Sequence, residues 1–280
     1  MPRIRHISSL LLCMLGLLSF AGGEIQPRGA QSMAMGNNSV MLTGLWSGFN
    51  NQAGLVGLTD LHAGVYYHNL FSVGGLADQG FIVAYGDGQR SVAINVSTFG
   101  QEVFSDDRFG LAYGMKLGEK LDMGIQLNYH SKRIQFDEYG SHSTLTAEIG
   151  LISHLTDDFD LAFHLFNPWQ STLLKNELVD ERIPTVMSIG GAYRFSDKVQ
   201  LVSEVTKDLD MPTVLRAGIE YRVVEVVYLR GGISTEPTLS SFGAGVDWNA
   251  LRFDVAASYH HVLGYSTQLS LSYRFNDGKN

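Results

Sequence analysis

The 280-residue chain is 45% apolar, 11% aromatic and only 17% charged, and it contains 31 glycines. The charged share lies well below the roughly 25% usual in soluble domains, and so aromatic a chain is not a disordered one. A formal net charge of −8 lacks the basic footprint that nucleic-acid binding requires, so no nucleic-acid partner is expected.

In chain order, Arg3, Arg5 and His6 precede an apolar stretch from Leu10 to Leu18, and Ser19-Phe20-Ala21 supplies small residues at signal-peptidase spacing. The apolar core is about half the roughly 20 residues that a membrane anchor needs, so residues 1–21 are expected to be a cleaved export signal. Cys13, the single cysteine, falls inside it. The remaining chain then has no thiol for a disulfide, a nucleophile or a thiolate metal site.

Residues 22–60 are rich in Gly, Asn, Ser and Met and carry Leu42, Leu45, Trp46 and Phe49. Leaving Trp and Phe in water is costly, which favours a segment packed inside a larger structure over a free linker.

From residue 61 the apolar positions recur with period two, the signature of strands whose faces meet different surroundings. Leu251, Phe253, Val255, Ala257 and Tyr259 alternate with Arg252, Asp254, Ser258 and His260, and Leu269, Leu271, Tyr273 and Phe275 alternate with Gln268, Ser270, Ser272 and Arg274. About fourteen strands are expected, starting near residues 61, 80, 90, 107, 120, 144, 159, 185, 198, 213, 226, 240, 251 and 266. Their connections alternate between very short, as in Ser196-Asp197-Lys198, and longer, notably 131–143 and 167–184. Pro168, Pro184, Pro212 and Pro237 all fall in or beside the longer ones, where no ladder hydrogen bond is lost.

Alternation of turn length around a meander matches a transmembrane β-barrel of the outer-membrane type. A soluble β-sandwich also alternates, but its outer face carries Lys and Glu. Here Tyr129, Phe195, Tyr221, Trp248, Tyr259, Tyr273 and Phe275 sit near strand ends, as in the aromatic girdles of membrane barrels. The expected fold class is all-β: an antiparallel transmembrane barrel over 61–275, a lumen segment over 22–60 and a short tail over 276–280. The expected location is the outer membrane of a Gram-negative type of cell, with the lipid bilayer as partner.

On the inward, polar face the candidate residues are Glu148, Glu204, Arg216, Glu220, Arg230, Arg252 and Asp254. Their first role is to pair across neighbouring strands; the alternative is to line a solute pathway. His130, His164, His260 and His261 show no metal-ligand spacing, and nucleophile elbows and phosphate loops are absent from the sequence. No cofactor, metal, catalytic residue or enzymatic activity is therefore expected. In the longest loop Trp169, Leu173 and Leu174 are candidates for contact with a ligand or partner, or for folding back over the barrel mouth.

Gly29-Ala30-Gln31-Ser32-Met33-Ala34-Met35-Gly36-Asn37-Asn38-Ser39-Val40, followed by Trp46-Ser47-Gly48-Phe49-Asn50-Asn51-Gln52-Ala53-Gly54-Leu55, resembles the start of the FadL-like outer-membrane family. It is most similar to the smaller branch that includes the PorV and PorQ proteins of type IX secretion. The resemblance implies a fourteen-strand barrel whose N-terminal segment folds inside it as a hatch, with Asn50, Asn51, Gln52, Ala53, Gly54 and Leu55 as its motif. Gln52 stands where the family usually has proline, so the hatch rigidity that proline brings is not implied. The resemblance implies passage of small hydrophobic compounds, or, in the PorV/PorQ-like branch, a non-transporting accessory role with secretion-system proteins as partners.

Overall fold

The computed structural model describes residues 26–101, 103–135, 140–175 and 180–275. The expected export signal (1–21) and C-terminal tail (276–280) lie outside them.

The barrel strands are β1 (Thr59–Asn69), β2 (Ala77–Asp87), β3 (Arg90–Gln101), β4 (Phe104–Lys116), β5 (Leu121–Ile134), β6 (Gly140–His154) and β7 (Phe159–Phe166). They continue with β10 (Val186–Ser196), β11 (Val199–Asp208), β12 (Val214–Val224), β13 (Val227–Ser234), β14 (Leu239–Trp248), β15 (Leu251–His260) and β16 (Gly264–Phe275). These fourteen close into one antiparallel barrel, β1 pairing with both β2 and β16, with Leu61 opposite Phe275 at the seam. Each starts within four residues of the position expected from periodicity.

The period-two pattern sorts the side chains as the sequence requires. On β5 Ile125, Leu127 and Tyr129 are exposed, while Gln126, Asn128 and His130 are buried. Every aromatic residue named above as a girdle candidate is exposed on the outer surface. An outward apolar belt continuous around the barrel is the surface that a bilayer covers.

One wall segment is short. β6 pairs with β7 only up to Glu148 opposite Phe166, and β10 meets β7 only up to Val186 opposite Phe166. Beyond that level the far edge of β6, running on to Gly140, has no barrel neighbour on this side and is met by the 167–185 connection. Asn167 N–H donates to Ala147 O at 2.8 Å and Ser171 Oγ donates to Leu145 O at 2.5 Å. Where the sequence suggested a loop, the connection contains a small antiparallel pair, β8 (Thr172–Lys175) and β9 (Asp180–Arg182).

Residues 26–58 pack against the inward face of the barrel. Helix α1 (Ala30–Ala34) lies beside β13–β16, a 3-10 turn at Leu45–Phe49 lies beside β1–β3, and a second at Gln52–Leu55 lies beside β4–β6. Three apolar clusters result, the smallest made by Ala30, Met33 and Ala34 against Ala256. Met35, Val40, Met41, Leu42 and Ala53 meet Ile152, Ala162, Ala192 and Val202; Leu45, Trp46, Phe49 and Leu55 meet Tyr66, Ile82, Ala84, Ala93 and Ala112.

Candidate functional site

Read from the short-turn end toward the long loops, the inward positions of most strands pass from a small or apolar residue to a polar one: Ala93 then Asn95, Gly124 then Gln126, Gly150 then Glu148, Val202 then Glu204, Gly218 then Arg216. The small residues admit the N-terminal segment to direct contact with the wall. A Cβ on Gly124 would overlap the Gln52–Ala53 backbone, one on Gly150 would strike Asn51, and ones on Gly218 and Gly232 would run into Met35. Close approach of two backbones is what leaves glycine as the fitting residue at these strand positions.

The Asn50–Leu55 motif forms the second turn and its ties. Asn51 Oδ1 accepts Ala53 N–H at 3.2 Å, and its Nδ2 donates to Val40 O at 2.8 Å. Asn50 exchanges hydrogen bonds with the Arg28 backbone at 3.1 and 2.9 Å. Gln52, where proline is usual in the resembling family, donates from Nε2 to Glu148 at 2.8 Å, a bond that proline could not supply. Gly54 N–H bonds Asn51 O, and its own carbonyl accepts Gly44 N–H. Ala53 and Leu55 are fully buried.

The polar layer holds two carboxylate hubs. Glu148 accepts from Arg108, Gln126, Asn128, Gln52 and His164, the last at 2.9 Å. Glu204 accepts the backbone N–H of Ser39 at 2.7 Å and of Val40 at 2.9 Å, and pairs with Arg216 at 2.9 Å and with the Thr206 hydroxyl at 2.8 Å. Nearer the short turns, Arg230 pairs with Glu220 at 2.6 Å and with Asp254 at 2.7 Å, and Arg252 reaches Asp254 at 3.1 Å. Arg230 and Asp254 lie two strands apart; Gly245 between them leaves the space for the pair.

All seven inward candidates thus take part in ion pairs: Glu204–Arg216 and Glu220–Arg230 face each other in register on adjacent strands, Glu148–Arg108 and Arg230–Asp254 span an intervening strand, and Arg252–Asp254 lies along β15. Arg108 and His164, both bonded to Glu148, are not among the seven inward candidates. Arg108 follows directly on the strand start expected near 107, and its even spacing to Gly110 and Ala112 marks the inward register.

The outer-loop candidates differ in exposure. Trp169 is 56% exposed, whereas Leu173 is 8% exposed; the Leu174 side chain lies outside the described set. β9 is tied to the wall through an ion pair between Glu181 and Lys132.

Between the two carboxylate hubs, toward the long-loop end, lies a cavity of about 50 Å³ bordered by Arg108, Glu148, His164, Glu204 and Arg216, with Phe49 and Phe166 among its apolar sides. Among the described residues, no group of three or more His, Cys, Asp or Glu is arranged to hold a metal ion.

No protein-family model matches the chain, and no curated protein matches it. Solved structures do. The CymD monoaromatic hydrocarbon channel matches with a TM-score of 0.69 at 12% identity, over 90% of this chain and 99% of that one. The Pseudomonas putida toluene transporter TodX matches with a TM-score of 0.66 at 13% identity, over 89% and 98%. A Pseudomonas aeruginosa FadL homologue matches with a TM-score of 0.61 at 13% identity, over 89% and 98%. At these identities the likeness is one of fold: the chain has the closed fourteen-strand barrel of FadL- and TodX-type channels.

Proposed function

We propose that the protein is an outer-membrane channel of the FadL/TodX type that passes small hydrophobic compounds, with residues 26–58 acting as the lumen plug and residues 1–21 removed on export. The observation that carries this reading is a barrel that aligns over nine-tenths of its length with hydrocarbon channels and whose lumen segment presents Leu45, Trp46, Phe49 and Leu55 as an apolar cluster. That cluster occupies the space a hydrocarbon would need, so passage requires the cluster to yield or the wall to part. The notch beside the short β7 strand, flanked by Pro168 and Pro184, is the lateral opening in this reading. The accessory secretion role that the resemblance also implied has no support in the comparisons and is not taken further.

The test is uptake of toluene by a porin-poor Gram-negative strain expressing the protein, against the same strain with an empty vector. Faster uptake that falls back when an engineered disulfide fixes the 167–185 connection to β6 is the expected result. Uptake equal to the vector control, with the barrel folded in the outer membrane, overturns the reading.

A further inference from the structure

The cavity between the two carboxylate hubs is not the apolar chamber that a hydrocarbon fits. Its charges are already balanced, Arg108 by Glu148 and Arg216 by Glu204, and all four side chains are at least nine-tenths buried. A further anion would enter with no cation left to match it, and a cation likewise; both are costly in a desolvated site. What the pairing leaves over is one guanidinium N–H and one ring nitrogen of His164. Arg216 Nε is buried with no hydrogen-bond partner among the described residues. His164 Nε2 lies 2.9 Å from the Glu148 carboxylate; in the tautomer that donates there, Nδ1 is the acceptor. Phe49, Phe166 and Val186 supply apolar wall on the remaining sides.

We propose that this cavity binds a small uncharged solute bearing both a hydrogen-bond donor and an acceptor, such as a short amide or diol. A water molecule needs about 10–15 Å³ of such space, so about 50 Å³ takes a few waters or one solute of that bulk, entering from the long-loop end where Val186, Phe166 and Thr206 lie. The site shares Phe49 with the apolar cluster but is lined mainly by polar side chains, and it goes beyond the hydrocarbon reading; toluene uptake tests that reading independently.

Saturation-transfer NMR on the detergent-solubilised full protein, with acetamide, propane-1,2-diol and acetate as separate probes, decides the matter. Transfer to acetamide and the diol, with none to acetate, is expected for the wild type. Ser188→Leu, which fills the cavity, should weaken the acetamide Kd at least tenfold, while Met187→Leu, one residue along on the outward face, leaves it unchanged. Absence of transfer to either neutral probe, meaning a cavity that holds water only, overturns the proposal. So does tighter binding of acetate than of acetamide, a comparison made on the wild type alone and independent of how well any variant folds.

Discussion

The carboxylate of Glu204 on β11 accepts the backbone N–H of Val40 at 2.9 Å, binding a wall side chain to the main chain of the lumen segment. The same oxygen accepts Ser39 N–H, so a single wall residue anchors the stretch between α1 and the first 3-10 turn.

Glu204→Gln should loosen that anchor while the barrel stays closed. Hydrogen bonds to charged groups contribute about 1.5–3 kcal/mol, so amide exchange at Ser39 and Val40 should speed up by at least tenfold. Glu225→Gln, in an exposed turn, is the control. Unchanged exchange in the Glu204 variant would remove Glu204 as the tether.

Gly232→Ala should destabilise the folded protein by about 1–3 kcal/mol, the usual cost of overpacking, because the added methyl meets the Met35–Gly36 backbone. Gly74→Ala, which meets open space, should be near neutral. The urea midpoint of the shift between compact and unfolded gel migration measures both.

The fold was legible in the sequence because strand alternation is a local property: each outward Leu or Tyr and each inward Ser or Gln declares its face from its own neighbours. Glu148, Glu204 and Arg230 could be assigned to the lumen on the same ground. Their partners could not all be. Arg230 meets Asp254 across an intervening strand through the gap at Gly245, and Gln52 meets Glu148 from 96 residues away. Such contacts depend on barrel curvature and on how the segment is laid inside, neither of which has a periodicity. The small pair β8–β9 escaped notice because two strands of three or four residues are too short to show alternation.

Removing one member of a buried pair leaves the other uncompensated, at a cost of about 3–5 kcal/mol. Glu148→Leu alone should therefore lower stability strongly, since it strands Arg108, and Arg108→Met together with Glu148→Leu should recover a large part of the loss. A double-mutant cycle on the urea midpoint reads the coupling; additive losses would show that the pair is not coupled.

On the outer surface, Leu127→Arg places a charge midway along β5, where Leu127 is 59% exposed. If lipid covers this face the penalty is about 2–4 kcal/mol, as for arginine at the bilayer midplane. The same exchange at Leu117, in the β4–β5 turn, should cost about 1 kcal/mol or less. Refolding yield into vesicles distinguishes the two positions.

The brevity of β7 has a mechanical meaning. A closed sheet resists bending through its ladder of main-chain bonds, and around most of this barrel that ladder runs nearly the full length of each strand. Above Phe166 it gives way to isolated contacts such as those from Asn167 and Ser171. Compliance in the wall is therefore concentrated along one line. In a bilayer that thins or thickens, this is where such a cylinder would flatten first, while the opposite side, held by β1, β2 and β16 in unbroken register, would keep its curvature.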